Sequence, residues 1–277
     1  VGSEMCIRDR YTMESNAEMS FWDHLEELRW MLFRVLIGLV FFMILSFIFM
    51  PYLFDTIVMA PCNKDFFLYQ LMNRIGSSTH VIPDFLHKPF QVEIINIKLA
   101  SQLFIHMSLS FWTALFITFP YLVYEIWKFI CPALYENEKN GIRWTFLFGT
   151  IMFFLGSSIG YFIVFPLTLR FLYTYELSSL ITNQLALDSY MNNFLMLIFM
   201  MGIVFELPLL SMLFSKLGFL KRSFFGKYRR HAITAILVIA AIITPSSDPF
   251  TLMIVFIPIY ILWELSALLV KKEEKEI

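Results

Sequence analysis

Residues 35–54 contain no charged side chain. An apolar run of this length fits the hydrocarbon core of a bilayer, which a helix of about 20 residues crosses. Further candidates follow at 99–127, 144–169, 190–214, 232–244 and 250–270. The second is long, and bent if Pro120 sits inside it. The fifth is short for a full span; it crosses where the bilayer thins, or the last pair forms a re-entrant hairpin turning at 245–249. Composition agrees, with 58% hydrophobic and 16% charged residues. A soluble domain has roughly 45–50% and about 25%, and a soluble chain this apolar would expose aggregating patches. The expected fold is an all-α polytopic integral membrane protein of six transmembrane helices, the fifth and sixth short.

Orientation follows from Lys and Arg in short loops. Lys216, Lys221, Arg222, Lys227, Arg229 and Arg230 lie between spans four and five with no acid among them. Lys271, Lys272 and Lys275 follow the last span, and Lys128, Lys139 and Arg143 lie between spans two and three. The loop between spans three and four has only Arg170. In the long loop after span one, Lys64, Arg74, Lys88 and Lys98 are matched by Asp55, Asp65, Asp84 and Glu93. Both termini are therefore expected in the cytoplasm. Residues 1–18 read as a non-native or disordered leader, with a natural start at Met13 or Met19, and lack the apolar run of a signal peptide. Residues 19–270 read as one membrane domain and 271–277 as a charged cytoplasmic tail. Cys6, Cys62 and Cys131 show no metal-site spacing and read as small hydrophobes.

Ser20-Phe-Trp-Asp-His-Leu-Glu-Glu-Leu-Arg29 reads as an amphipathic helix leading into span one. Phe21, Leu25, Leu28 and Leu32 make its apolar face, with Asp23, Glu26, Glu27, Trp30 and Arg34 opposite. Two readings fit the acids. Ser20 and Asp23 form a capping box in an acid-favouring first turn. Alternatively, Glu26 and Glu27 hold a cationic ligand at a face that otherwise collects cations. Glu206 lies deep in span four among Phe, Val and Leu, where an ionisable group is costly and marks function; a protonated packing residue is the other reading. Glu264 and Glu125 lie near an interface and read as structural, Glu125 beside Lys128. His106 reads as a packing or interfacial residue. No H-E-x-x-H, G-x-S-x-G or P-loop is present, so an enzyme is not expected. No metal or cofactor is expected either.

Four ordered segments resemble the TatC family of protein translocase components. Phe21-Trp-Asp-His-Leu-Glu-Glu-Leu-Arg29 is similar to the signature H-L-x-E-L-R before the first span. Trp127-Lys-Phe-Ile-Cys-Pro-Ala-Leu-Tyr-Glu-Asn-Glu138 is similar to F-x-x-P-A-L-Y-x-x-E. Phe205-Glu206-Leu-Pro208 and Ile243-Thr-Pro-Ser-Ser-Asp-Pro-Phe250 complete the set. The resemblance implies a bacterial inner-membrane, multi-pass protein that recognises twin-arginine signal peptides. With single-span TatA/TatB-type partners in an oligomeric complex, it would export folded precursor proteins. It implies a cytoplasmic signal-peptide site at Glu27, Arg29, Phe129, Pro132 and Glu138. Glu206 would face the concave side, Pro61 would belong to a cap in the first external loop, and Thr244 and Asp248 would dock a partner helix. Pro61 also reads as an ordinary turn proline. Leu252 stands where some members carry a glutamine, which weakens the docking assignment. A proton-coupled small-solute secondary transporter is the alternative; it predicts repeats, broken helices and a midplane site. No repeat is visible, although Glu206 could carry a proton.

Overall fold

The computed structural model describes residues 21–63, 65–76, 92–130, 136–175, 178, 183–216, 220–244 and 248–270; at 21, 23–24, 73–76, 130, 136–145 and 216 only the backbone is described. The leader, the tail, Ser20, Pro132 and residues 245–247 lie outside the described residues.

Helix α1 (Phe21–Leu53) has 33 residues, about 50 Å at 1.5 Å per residue. That exceeds the roughly 30 Å hydrocarbon layer, so the amphipathic stretch and span one are one continuous helix. Ile37, Phe41, Ile44 and Ile48 recur at helical spacing and are all exposed, as a bilayer-facing stripe must be. The chain then makes a π-helical turn (Phe54–Val58) and a short 3-10 turn (Ala60–Cys62), followed by α2 (Phe67–Gly76). Helix α3 (Ser101–Ile130) carries Pro120 inside it.

Two expected spans are interrupted. The third is α4 (Glu136–Ile159), a π-helical turn (Gly160–Val164) and α5 (Phe165–Thr174). The fourth is α6 (Leu187–Val204) and α7 (Leu207–Lys216), parted at Phe205 and Glu206. Pro208 explains that second break, because it lacks an amide hydrogen and crowds the preceding turn. The Glu206 amide accordingly bonds one residue short, to the Ile203 carbonyl at 3.0 Å. Helix α8 (Arg222–Lys227) leads to α9 (Arg229–Ile243) and α10 (Pro249–Leu269).

Among the described residues, five segments are long and apolar enough to cross a membrane. Helix α9 is not among them. Its 15 residues reach about 22 Å. It packs on α10 as a hairpin, with Arg229 at its start bonded at 2.7 Å to Glu264 near the far end of α10.

Strand β1 (Ile94–Ile95) pairs in parallel with β2 (Leu185–Ala186), tying two loops at one end of the bundle. Asp188 fastens the same end through Lys98 at 2.9 Å and the Ser101 hydroxyl.

The main core is built around α6, against α5, α9 and α10; α6 also packs closely on α4, where Phe153, Leu197 and Met201 are fully buried. Small residues permit this approach. A Cβ at Gly156 would stand 2.4 Å from Phe205 Cγ and 2.7 Å from the Met201 carbonyl. One at Gly202 would stand 2.4 Å from Ser157 Oγ. Gly156→Ala and Gly202→Ala should each destabilise the chain by about 1–3 kcal/mol, the usual cost of overpacking. Thermal unfolding in detergent checks this. Gly226→Ala, where a Cβ meets nothing within 4 Å, should leave the midpoint unchanged.

Candidate functional site

Of the expected site residues, Glu27 and Arg29 lie on α1 and Phe129 on α3, two helices that run antiparallel. Along this seam Arg34 faces Glu125, a Cβ on Gly38 would meet Tyr121 at 3.6 Å, and Phe47 stacks on His106 at 4.0 Å. His106 also bonds the Phe47 carbonyl at 2.9 Å through Nε2, consistent with its packing role. Continuing this register sets Trp30 level with Phe129, in the last turn of α3. Glu27 lies one turn further, beyond the described end of α3.

Residues 27, 31, 34 and 38 share one face of α1 by helical spacing. Met31 is buried there. Glu27 is half-buried, whereas Glu26 on the adjoining face is exposed. The apolar stripe turns the other way, with Leu25 and Leu32 exposed. The inward face of α1 therefore carries Met31 with Glu27 one turn before it. Arg29 is exposed, its guanidinium 5.7 Å from the Phe33 ring centroid, so it does not share Glu27's inward position. Phe129 is half-buried. Glu138 lies in the first turn of α4, within the backbone-only part.

One strong contact here joins residues far apart in the chain. Arg34 Nε and Nη2 lie 2.9 and 2.8 Å from Glu125 Oε2, and the Tyr121 hydroxyl lies against the same carboxylate. Glu125 is thus buried and paired, with a partner 91 residues away rather than with Lys128. The signal was present: a carboxylate inside an apolar helix demands a partner.

Glu206 occupies the α6–α7 break and is 9% exposed. Among the described residues neither of its carboxyl oxygens has a hydrogen-bond partner. Gly149 makes room for it, since a Cβ there would lie 2.9 Å from Oε2. A buried carboxyl held open beside a helix break can accept a polar group entering the bundle.

A family model described as Sec-independent protein translocase protein (TatC) matches residues 23–258. A TatC from Blattabacterium sp. subsp. Periplaneta americana is 34% identical over 253 residues, covering 90% of this chain and 94% of its own length. One from Aquifex aeolicus is 32% identical, covering 94% and 99%. A crystal structure of the twin-arginine translocase receptor TatC in DDM aligns with a TM-score of 0.72 at 30% identity, covering 90% of this chain and 99% of that one. The chain belongs to the TatC family. It is a multi-pass membrane protein.

The other residues singled out by resemblance to TatC are locked within the chain. Pro61 is buried and its carbonyl accepts the Tyr69 hydroxyl at 3.0 Å. The same hydroxyl lies 3.3 Å from the Pro166 carbonyl, so Pro61 braces the far end of the bundle. It is not a neighbour of Glu206: Gly149 and Pro166 lie 17 residues apart, about 25 Å along the helix axis. The Thr244 hydroxyl is buried and donates to the Ala240 carbonyl at 3.0 Å. Asp248 caps α10, accepting from the Phe250 and Thr251 amides at 3.1 and 2.9 Å. Leu252 is half-buried in the first turn of α10.

Glu206→Met should raise the thermal midpoint in detergent. Replacing an unpartnered buried polar group by an apolar one of similar length removes a desolvation penalty of about 1–3 kcal/mol. A lowered midpoint would mean that the carboxyl is satisfied in the native bundle.

Proposed function

We propose that this TatC-family chain is the receptor component of a twin-arginine translocase in a bacterial inner membrane. It binds the paired arginines of a signal peptide at its cytoplasmic face and exports the folded precursor with TatA/TatB-type single-span partners. The observation that carries the reading is likeness in sequence and fold to a translocase receptor over nine-tenths of the chain. In this reading α9 and α10 both cross, making six spans, and both termini are cytoplasmic. The basic stretch from Lys216 to Arg230 supports that orientation.

Glu27 and Glu138 are the carboxylates, with Arg29, Phe129 and Pro132 as further residues of the site. A guanidinium presents a planar fork that two carboxylate oxygens can accept, and an ammonium does not. The half-buried position of Glu27 supports the assignment, because partial desolvation strengthens a pair that full exposure would leave near 0–1 kcal/mol. Glu206 then lies in the cytoplasmic half of the bundle, open to a polar group on a partner or cargo.

Glu27→Gln and Glu138→Gln should each reduce photo-crosslinking of a signal peptide at Phe129, and export, by about tenfold or more, without changing insertion. The double change should cost less than the sum if both acids hold one ligand group. Glu26→Gln is the control; equal damage there would reduce the site to general surface charge. The break at Glu206 would also suit a proton-coupled carrier. Solute uptake by the purified chain alone in vesicles would favour that alternative.

Topology has its own test. Cysteines placed in 51–98 and 177–193 should be labelled from outside intact cells, and those in 216–230 should not. Labelling near Lys221 would overturn the orientation.

A further inference from the structure

The Arg34–Glu125 pair is unequal. The Glu125 side chain is 4% accessible and that of Arg34 is 37%. The acid is fixed in the seam, and the cation is the partner able to move. Arg34 follows Glu27 by seven residues, so the two share a helix face with about 10 Å between their levels. Helical side chains lean toward the N-terminus, and for Arg34 that direction is toward Glu27. What draws Arg34 across the seam instead is Glu125, through its two nitrogens at 2.9 and 2.8 Å.

We propose that Glu125 is a positioning residue of the cation site: by holding Arg34 it keeps an internal guanidinium off Glu27, leaving that carboxylate open to an arginine of the incoming peptide. The inference rests on Glu27 being a ligand of the peptide. A guanidinium tethered in the same molecule acts at an effective concentration of about millimolar. Released from Glu125, Arg34 competes for Glu27 as a peptide arginine does, with the same fork geometry. Glu125 need not touch the peptide to matter.

The test uses the full chain purified in detergent and a labelled synthetic signal peptide bearing Arg-Arg, with affinity read by fluorescence anisotropy. Glu125→Gln should weaken binding roughly three- to fivefold, the strength of one modest ion pair used against the peptide. Arg34→Gln combined with Glu125→Gln should return the affinity to within about twofold of the original, because the competitor is gone. Arg34→Gln alone should also stay within about twofold. If the double change remains as weak as Glu125→Gln, or if Glu125→Gln binds normally while Glu27→Gln does not, the inference is wrong and the signal-peptide reading stands. Normal binding by Glu27→Gln contradicts the reading itself, and the inference falls with it. Should Glu125→Gln fail to fold, Glu125→Asp makes the same test with a shorter acid: partial loss, again recovered by Arg34→Gln.

Discussion

Lipid offers a peptide group no hydrogen bond. Each amide or carbonyl left unpaired in the hydrocarbon costs several kcal/mol, so a chain crossing it must satisfy its backbone internally. The interruptions in this bundle meet that demand. The π-helical turns at Phe54–Val58 and Gly160–Val164 widen the helix and redirect carbonyls. Tyr161, inside the second turn, donates to the Ile57 carbonyl in the first at 2.8 Å, and the Tyr190 hydroxyl takes the Val58 carbonyl. The two irregular turns thereby complete one another. The start of α10 is likewise closed by Asp248. At the α6–α7 break, by contrast, a carboxyl without a partner among the described residues has been placed against a glycine. That break is where the bundle carries unspent polarity.

The regular spans were readable because hydropathy reports them directly: 35–54 and 99–127 fall within α1 and α3 to within one or two residues at an end. Pro208 signalled the break in span four, but a span-length window averaged over it. Pro166, in the first turn of α5, marks the second π-helical turn in the same way, whereas nothing inside Phe54–Val58 marks the first, whose carbonyls are taken up by tyrosines far along the chain. Glu125 illustrates the other limit. Its neighbour in sequence is Lys128, yet its partner is Arg34, and only antiparallel packing of α1 on α3 brings them together. Glu206 was legible as an anomaly, since an acid among Phe, Val and Leu needs a reason in any fold.

Charge placement joins the fold to the proposed function. Arg34 cancels Glu125 inside the seam, and Arg229 cancels Glu264 at the α9–α10 hairpin. Glu27 makes no such bond among the described residues, and it sits half-buried on the face of α1 that turns toward α3. A cation arriving there meets Glu27 with Arg34, on the same helix face, already held by Glu125. Discrimination then depends on shape, because arginine and lysine bring the same charge and only arginine brings the fork.

The most direct measurement is the affinity of the purified chain for a signal peptide carrying Arg-Arg and for its Lys-Lys counterpart. The account predicts tighter binding of Arg-Arg by about tenfold or more, the worth of a charge-assisted bidentate pair. That gap should close when Glu27 and Glu138 are both changed to Gln. Equal affinities in the unaltered chain, or a gap that survives the double substitution, would contradict it.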